Sequence, residues 1–278
     1  MLPLSLLASA TLFEEIGETI GKKAVKRRRE NVYNLVFLAI FWTDIFLILS
    51  TFAGAKFHLS AASLPFLLMR VPVDITLNFV SAEAIIKADR STVGFLRLLT
   101  IPLLLISDLT LGYHLTTWQI TAVILIFLGL AAAFRRNAAG QKGAIWAVLT
   151  AVLAAVSATL FKWDISHYNS AAAEQIVIYT VVLTFFYIRS RQMGTDPVRL
   201  LTKRVTGIQS IANGLGLAIE TFAYQYAPAS IIVTMKRSFA VMWSIIFGHH
   251  YFHEHKLRQK IAAGAVLLVG LVILVKPW

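Results

Sequence analysis

Residues 12–19 read LFEEIGET and set Glu14, Glu15 and Glu18 inside an apolar stretch. On a helix Glu14 and Glu18 are four apart and share a face, whereas Glu15 points about 100° away. Glu18 adjoins the basic segment GKKAVKRRREN and reads as solvated, while Glu14 lies deeper. A desolvated carboxyl takes up a proton near neutral pH. Glu14 is therefore the leading candidate for proton coupling, with Glu15 beside it. Asp44, Asp74, Asp108 and Glu220 also interrupt apolar runs, and Glu83 stands near the end of one.

Five bases lie in apolar runs: Arg70, Arg97, Lys162, Lys236 and Arg237. Arginine forms bidentate contacts with carboxylate or phosphate, and lysine acts as a compact charge. Lys236 and Arg97 could bracket a cavity and pass an anionic group from one gate to the other. Arg237 points about 100° away from Lys236 and reads as structural. Arg70, Asp74 and Asn78 follow four-residue spacing, so an Arg70–Asp74 pair within one helix is the plain reading. Gln209 and Asn213 repeat the two leading positions of that pattern. Amides there bind substrate or join helices. The candidate substrate contacts are thus Glu14, Arg97, Lys162, Lys236, Asp74, Asn213 and Gln209. The alternative for Glu14 is an ion pair with Lys162 that fixes helix packing. For Lys236 it is pairing with Glu14, Asp74 or Glu220.

HHYFHEH (249–255) holds four histidines and a glutamate, with His249 and His253 at metal-ligand spacing. Its place at the end of an apolar run favours an interfacial or pH-responsive segment over a metal site. No Gly-rich phosphate loop, nucleophile elbow or HExxH occurs, so neither ATP drive nor hydrolysis is expected. No metal and no cofactor is expected. Phe13, Phe161, Trp163, Tyr224 and Trp243 could line an organic-substrate cavity. Gly17, Gly21, Gly214 and Gly216 would permit close helix approach.

These residues need elements to hold them. Of 278 residues, 58% are hydrophobic and 14% charged, more apolar than soluble domains, which predicts an all-α polytopic membrane protein. Cysteine is absent, which excludes disulfides, thiolate metal sites and thiol nucleophiles. The apolar start lacks a basic leader and a small-residue cleavage site, so no cleaved signal peptide is expected. Ten apolar runs read as transmembrane helices: 1–20, 32–52, 63–84, 92–112, 118–134, 143–163, 173–188, 205–223, 229–247 and 259–275.

The net charge of +12 is mainly a topology signal rather than a nucleic-acid signal. Of the 26 Lys and Arg, 19 fall in connections on one side, two on the other and five inside spans. Basic connections stay cytoplasmic, which predicts both termini outside. Anionic lipid headgroups are a further partner.

The chain also repeats itself. SATLF occurs at 9–13 and at 157–161, an offset of 148, first before acids and then before Lys162. At an offset of 139, Ala84, Ala88, Ser91 and His114 match Ala223, Ala227, Ser230 and His253. Arg97 falls opposite Lys236, Asp74 opposite Asn213 and Arg70 opposite Gln209 in the same register. The two offsets together call for nine residues of loop difference, with the SATLF segments as corresponding helix ends. The reading is two inverted five-helix repeats, 1–136 and 143–278, joined by a cytoplasmic linker at 137–142. Inverted repeats with a site between them are the architecture of secondary transporters.

AYQYAPASIIVTMKRSFAVMWSIIFGHHYFHEHKLRQKIAAGAVLLVGLVIL resembles the end of a repeat in the EamA-like branch of the drug/metabolite transporter superfamily. The carriers are the small-residue turn Ala227–Ser230, the polar span, Phe252 with Glu254, and a Gly-rich last helix. The resemblance covers 205–275 and, less closely, 63–134, where Leu115 stands in place of the acid. It implies a ten-helix transporter. LFEEIGET is similar to the first-helix motif of the small multidrug resistance family, which implies that Glu14 binds protons and substrate. Lys236–Arg237 with Arg97 is similar to the basic residues of plastid triose-phosphate translocator relatives, which hold organic anions.

The expected function is a secondary-active transporter in a prokaryotic cytoplasmic membrane, exporting a small organic metabolite or drug by proton-coupled alternating access. Its alternative is an organic anion or zwitterion exchanger without proton coupling. A membrane enzyme or metal-binding protein using HHYFHEH is the reading from another class.

Overall fold

A computed structural model describes residues 2–27, 31–87, 93, 96–134, 143–252, 269–270 and 272–273, and no strand occurs among them. The helices are α1 (Leu2–Arg27), α2 (Val32–Phe52), α3 (Leu64–Lys87), α4 (Thr100–Thr110), α5 (Thr117–Phe134), α6 (Ala144–His167), α7 (Ala171–Gln192), α8 (Arg204–Ala223) and α9 (Ala229–Phe252). A single helical turn, Pro197–Leu201, precedes α8, and residues 269–270 and 272–273 are also helical. The apolar run at 259–275 and the linker at 137–142 lie largely or wholly outside the described residues.

Helix starts are set by local chemistry. Asn31 caps α2, its Oδ1 accepting from Asn34 N at 2.8 Å. Ser170 caps α7, and Glu174 lies in that helix's first turn. Within α3, Pro72 supplies no N–H to the helical ladder, and the helix nonetheless runs on for four more turns. Gly143 opens α6 with a φ of 99°, a left-handed conformation that costs glycine little.

Among the described residues, four helices are long and apolar enough to cross a membrane: Val32–Phe52, Ala61–Ala84, Ala144–His167 and Ala171–Gln192. Large apolar side chains such as Leu68, Ile106, Leu128, Ile145 and Val152 are exposed on the outside of the bundle. A soluble protein rarely presents such a surface, whereas a bilayer covers it. The chain has the make-up of a helical membrane protein.

Packing follows a pattern. α1 packs on α8, and α3 on α6; α2 on α8, and α3 on α7; α1 on α9, and α4 on α6; α2 on α3, and α7 on α8. Each couple interconverts when every helix is exchanged with the one five places away. The pairs α2–α7 and α4–α9 map onto themselves under that exchange. Helix ends repeat in step. Arg27 and His167, Val32 and Ala171, Phe52 and Gln192, and Leu64 and Arg204 are each 139 or 140 positions apart.

That spacing corrects the reading of SATLF. An offset of 148 exceeds the helix spacing by eight or nine positions, about 12 Å along a helix. The first copy begins seven residues into α1, the second thirteen residues into α6. They are not corresponding helix ends, and no nine-residue loop difference is needed.

The α1–α8–α2 contact depends on missing side chains. A Cβ on Gly216 would stand 2.6 Å from Glu14 Cγ and 2.7 Å from Ala10 O. A Cβ on Gly214 would stand 2.6 Å from Trp42 Cβ, and one on Gly17 would overlap the Asn213 amide. Small residues at membrane helix contacts allow the dispersion and polar contacts that hold such bundles together. Ser210 Oγ, donating to Leu38 O, adds one of those polar contacts.

Candidate functional site

α3, α4, α6, α7, α8 and α9 surround a cavity of about 190 Å³. Its polar lining includes Arg70, Gln175, Tyr179, Glu220, Lys236 and Arg237, and Phe161 and Tyr224 give it aromatic wall. The two rings meet edge to face, 5.3 Å between centroids. The lining therefore combines charge with apolar surface, as small-molecule sites do.

Three cations face this space, and their surroundings differ. Arg70 is saturated. Its Nε lies 3.0 Å from Asp74 Oδ2, its Nη1 bonds Glu174 Oε2, and its Nη2 donates to Gln175 Oε1 at 2.8 Å. The guanidinium also lies over the Phe161 ring, 4.6 Å from its centroid. Asp74 in turn accepts from Ser157 Oγ. Lys236 bridges two acids, with Nζ 2.5 Å from Glu220 Oε2 and 3.1 Å from Glu14 Oε2. Arg237 has no ion pair or hydrogen bond among the described residues, and its Nε is buried. A half-buried guanidinium without a carboxylate beside it is poised to take an anionic group from a ligand.

The expected substrate residues divide accordingly. Lys236 lines the cavity, and Glu14 adjoins it through Lys236. Asp74 belongs to the Arg70 network. Arg97 Nη2 donates to Ser81 Oγ at 2.6 Å, and Arg97 is not among the lining residues. Gln209 and Asn213 meet Gly17 at the α1–α8 contact instead of the cavity. Glu15 is buried on α1. Lys162 is turned away from Glu14: its Nζ donates to Tyr224 O at 2.7 Å, at the C-terminal end of α8. The Glu14–Lys162 pair is thus replaced by Glu14–Lys236. Arg237, read from sequence as structural, lines the cavity with no ion pair among the described residues. Asp108 caps α9, accepting from Ser230 N at 2.7 Å.

Glu174, Gln175, Tyr179 and Asp164 escaped the sequence reading. Glu174 and Asp164 fell outside the apolar runs as drawn, 143–163 and 173–188, or at their charged edges. The Ser170 cap and the i,i+4 Arg70–Asp74 pair, one carboxylate on a span arginine, were the available signals. Of the aromatics, Phe161 and Tyr224 reach the cavity, Trp243 Nε1 donates to Ala8 O at 3.1 Å, and Trp163 stacks on His167. HHYFHEH lies outside the described residues beyond Phe252.

Fold and site together define a helical membrane protein with a charged internal cavity. No protein family matches the chain, and no curated protein does. Among solved structures, 28 chains match. One of them has a TM-score of 0.72 at 12% identity over 98% of this chain and 96% of its own. The chain shares that overall fold.

Proposed function

We propose that the protein is a secondary-active transporter of ten membrane helices in two inverted repeats, working by alternating access and exporting a small organic solute. The carrying observation is the cavity, whose walls come from both halves of the chain, with Arg70 and Thr100 from the first and Lys236, Arg237 and Glu220 from the second. The five-place exchange in helix packing and the 139–140 spacing of helix ends support the duplication. The EamA-like resemblance agrees with this reading. The excess of bases in alternate connections supports a cytoplasmic membrane with both termini outside.

In the proton-coupled form of the reading, Glu14 shares Lys236 with Glu220 and is released to take a proton when substrate engages the lysine. The exchanger form is favoured by one observation of its own, Arg237 at the cavity with no carboxylate partner among the described residues, which fits a substrate carrying a carboxylate or phosphate. A metabolite thermal-shift screen followed by counterflow in proteoliposomes tests both. Flux that responds to an imposed pH gradient in the wild type, and not in Glu14→Gln, supports proton coupling. Counterflow without proton movement, lost in Lys236→Gln, supports the exchanger. Counterflow of no compound would contradict the transporter.

A further inference from the structure

Three acids gather around one base at the edge of the cavity. Arg70 and Asp74 come from α3, Asp164 from α6 and Glu174 from α7, and each is at most 4% exposed. Tyr179 of α7 also faces the guanidinium. With every carboxyl ionised the group would carry a net charge of −2. The α7 N-terminus, in whose first turn Glu174 lies, offsets roughly half a charge. An excess of buried negative charge of this size is costly, and such groups neutralise by binding protons.

The donors decide which acid is neutral. Asp74 receives Ser157 Oγ on Oδ1 and has Arg70 Nε at ion-pair distance from Oδ2, and Glu174 receives Arg70 Nη1. Asp164 receives one uncharged donor, Asn169 Nδ2 on Oδ2 at 2.6 Å. Its Oδ1 is buried with no hydrogen-bond partner, and no cation contacts either oxygen among the described residues. Asp164 is 1% exposed. An anion so placed has no contacting cation among the described residues, whereas protonation removes the charge and leaves only a neutral O–H, which costs less to bury. Asn169 Nδ2 then meets the carbonyl oxygen and the proton sits on Oδ1.

We propose that Asp164 is a proton-binding site, protonated at neutral pH. Its surroundings give the proton a role. The α6–α7 turn that holds Asn169 is tied to the preceding 53–60 segment: Ser60 N donates to Asn169 Oδ1 at 2.7 Å, and His58 N to Ser170 Oγ at 3.0 Å. When that tie opens, the Oδ1–H bond breaks, its electron pair stays on Oδ1 and water takes the proton. The new carboxylate then competes with Asp74 and Glu174 for Arg70, which lines the cavity. This link to transport rests on the transporter reading; the protonation itself does not.

Infrared spectroscopy of the reconstituted protein reads the protonated carboxyl as a C=O band that shifts in heavy water. The wild type is expected to show it at neutral pH. Asp164→Asn should abolish it, while Glu14→Gln leaves it. Asp164→Glu, which keeps the acid, should shift it. A wild type without the band, or an Asp164→Asn protein that retains it, would overturn the proposal. Flux insensitive to pH in a protein that shows the band would refute proton-coupled transport and leave the Asp164 site standing.

Discussion

Lys236 Nζ stands 2.5 Å from Glu220 Oε2, sixteen positions earlier in the chain. A similar spacing occurs earlier in the chain: Arg97 Nη2 donates to Ser81 Oγ, again sixteen positions earlier, at 2.6 Å. Each member lies 139 positions from its equivalent. The base at 236 thus meets a carboxylate at 220, and the base at 97 meets a hydroxyl at 81.

The Lys236 bridge should be strongly coupled. Removing the base leaves Glu14 and Glu220 facing one another with little solvent, and breaking a buried ion pair costs about 3–5 kcal/mol. Lys236→Gln is expected to lower the unfolding midpoint in detergent sharply. Adding Glu220→Gln should recover part of that loss. A double mutant as unstable as the sum of the singles would show that the contact contributes no coupling.

Arg70 and Arg237 should separate stability from binding. Arg70→Gln leaves Asp74 and Glu174 without their cation and is expected to unfold the protein at much lower temperature. Arg237→Gln breaks no contact among the described residues, so its unfolding midpoint should change little. Its effect should fall on substrate, raising KM by roughly 10- to 100-fold, the worth of a charged hydrogen bond of about 1.5–3 kcal/mol. Unfolding curves and flux kinetics for the two variants check this contrast.

Gly216→Ala should force α1 and α8 apart. The added methyl meets Glu14 Cγ and the backbone of Ala10, and overpacking of this kind costs about 1–3 kcal/mol. Because Glu14 shifts with α1, a loss of flux is expected with the loss of stability. An unchanged unfolding midpoint would show that the two helices are further apart than described.

Glu14 and Lys162 should behave independently. Each has another partner, Lys236 and Tyr224 O respectively. A Glu14→Gln, Lys162→Gln cycle on stability is expected to be additive within about 0.5 kcal/mol. A larger coupling would restore the pair that the sequence suggested.

Much of the helical plan was legible because continuous apolar runs have few other fates in a chain this hydrophobic. The ends were less so. Hydropathy stops at charge, but α1 continues through its basic end to Arg27, and α6 and α7 carry Asp164 and Glu174 inside their ends. The turn that separates α6 from α7 is made by Asn169 and Ser170, which the charges obscured. Within the site, Arg70–Asp74 was visible as i,i+4 spacing. Glu174 lies 104 positions from Arg70, and no local pattern announces a partner so distant. SATLF misled because five identical letters outweighed helix position: the two copies begin at different depths in α1 and α6.

The most direct test of the transporter account uses the chain's natural lack of cysteine. Ala158 lines the cavity, and Val152 faces outward on the same helix. In oriented proteoliposomes, Ala158→Cys is expected to react with a membrane-impermeant thiol reagent applied from either side, while Val152→Cys reacts from neither. Labelling of Ala158→Cys from one side only, or from none, would contradict alternating access.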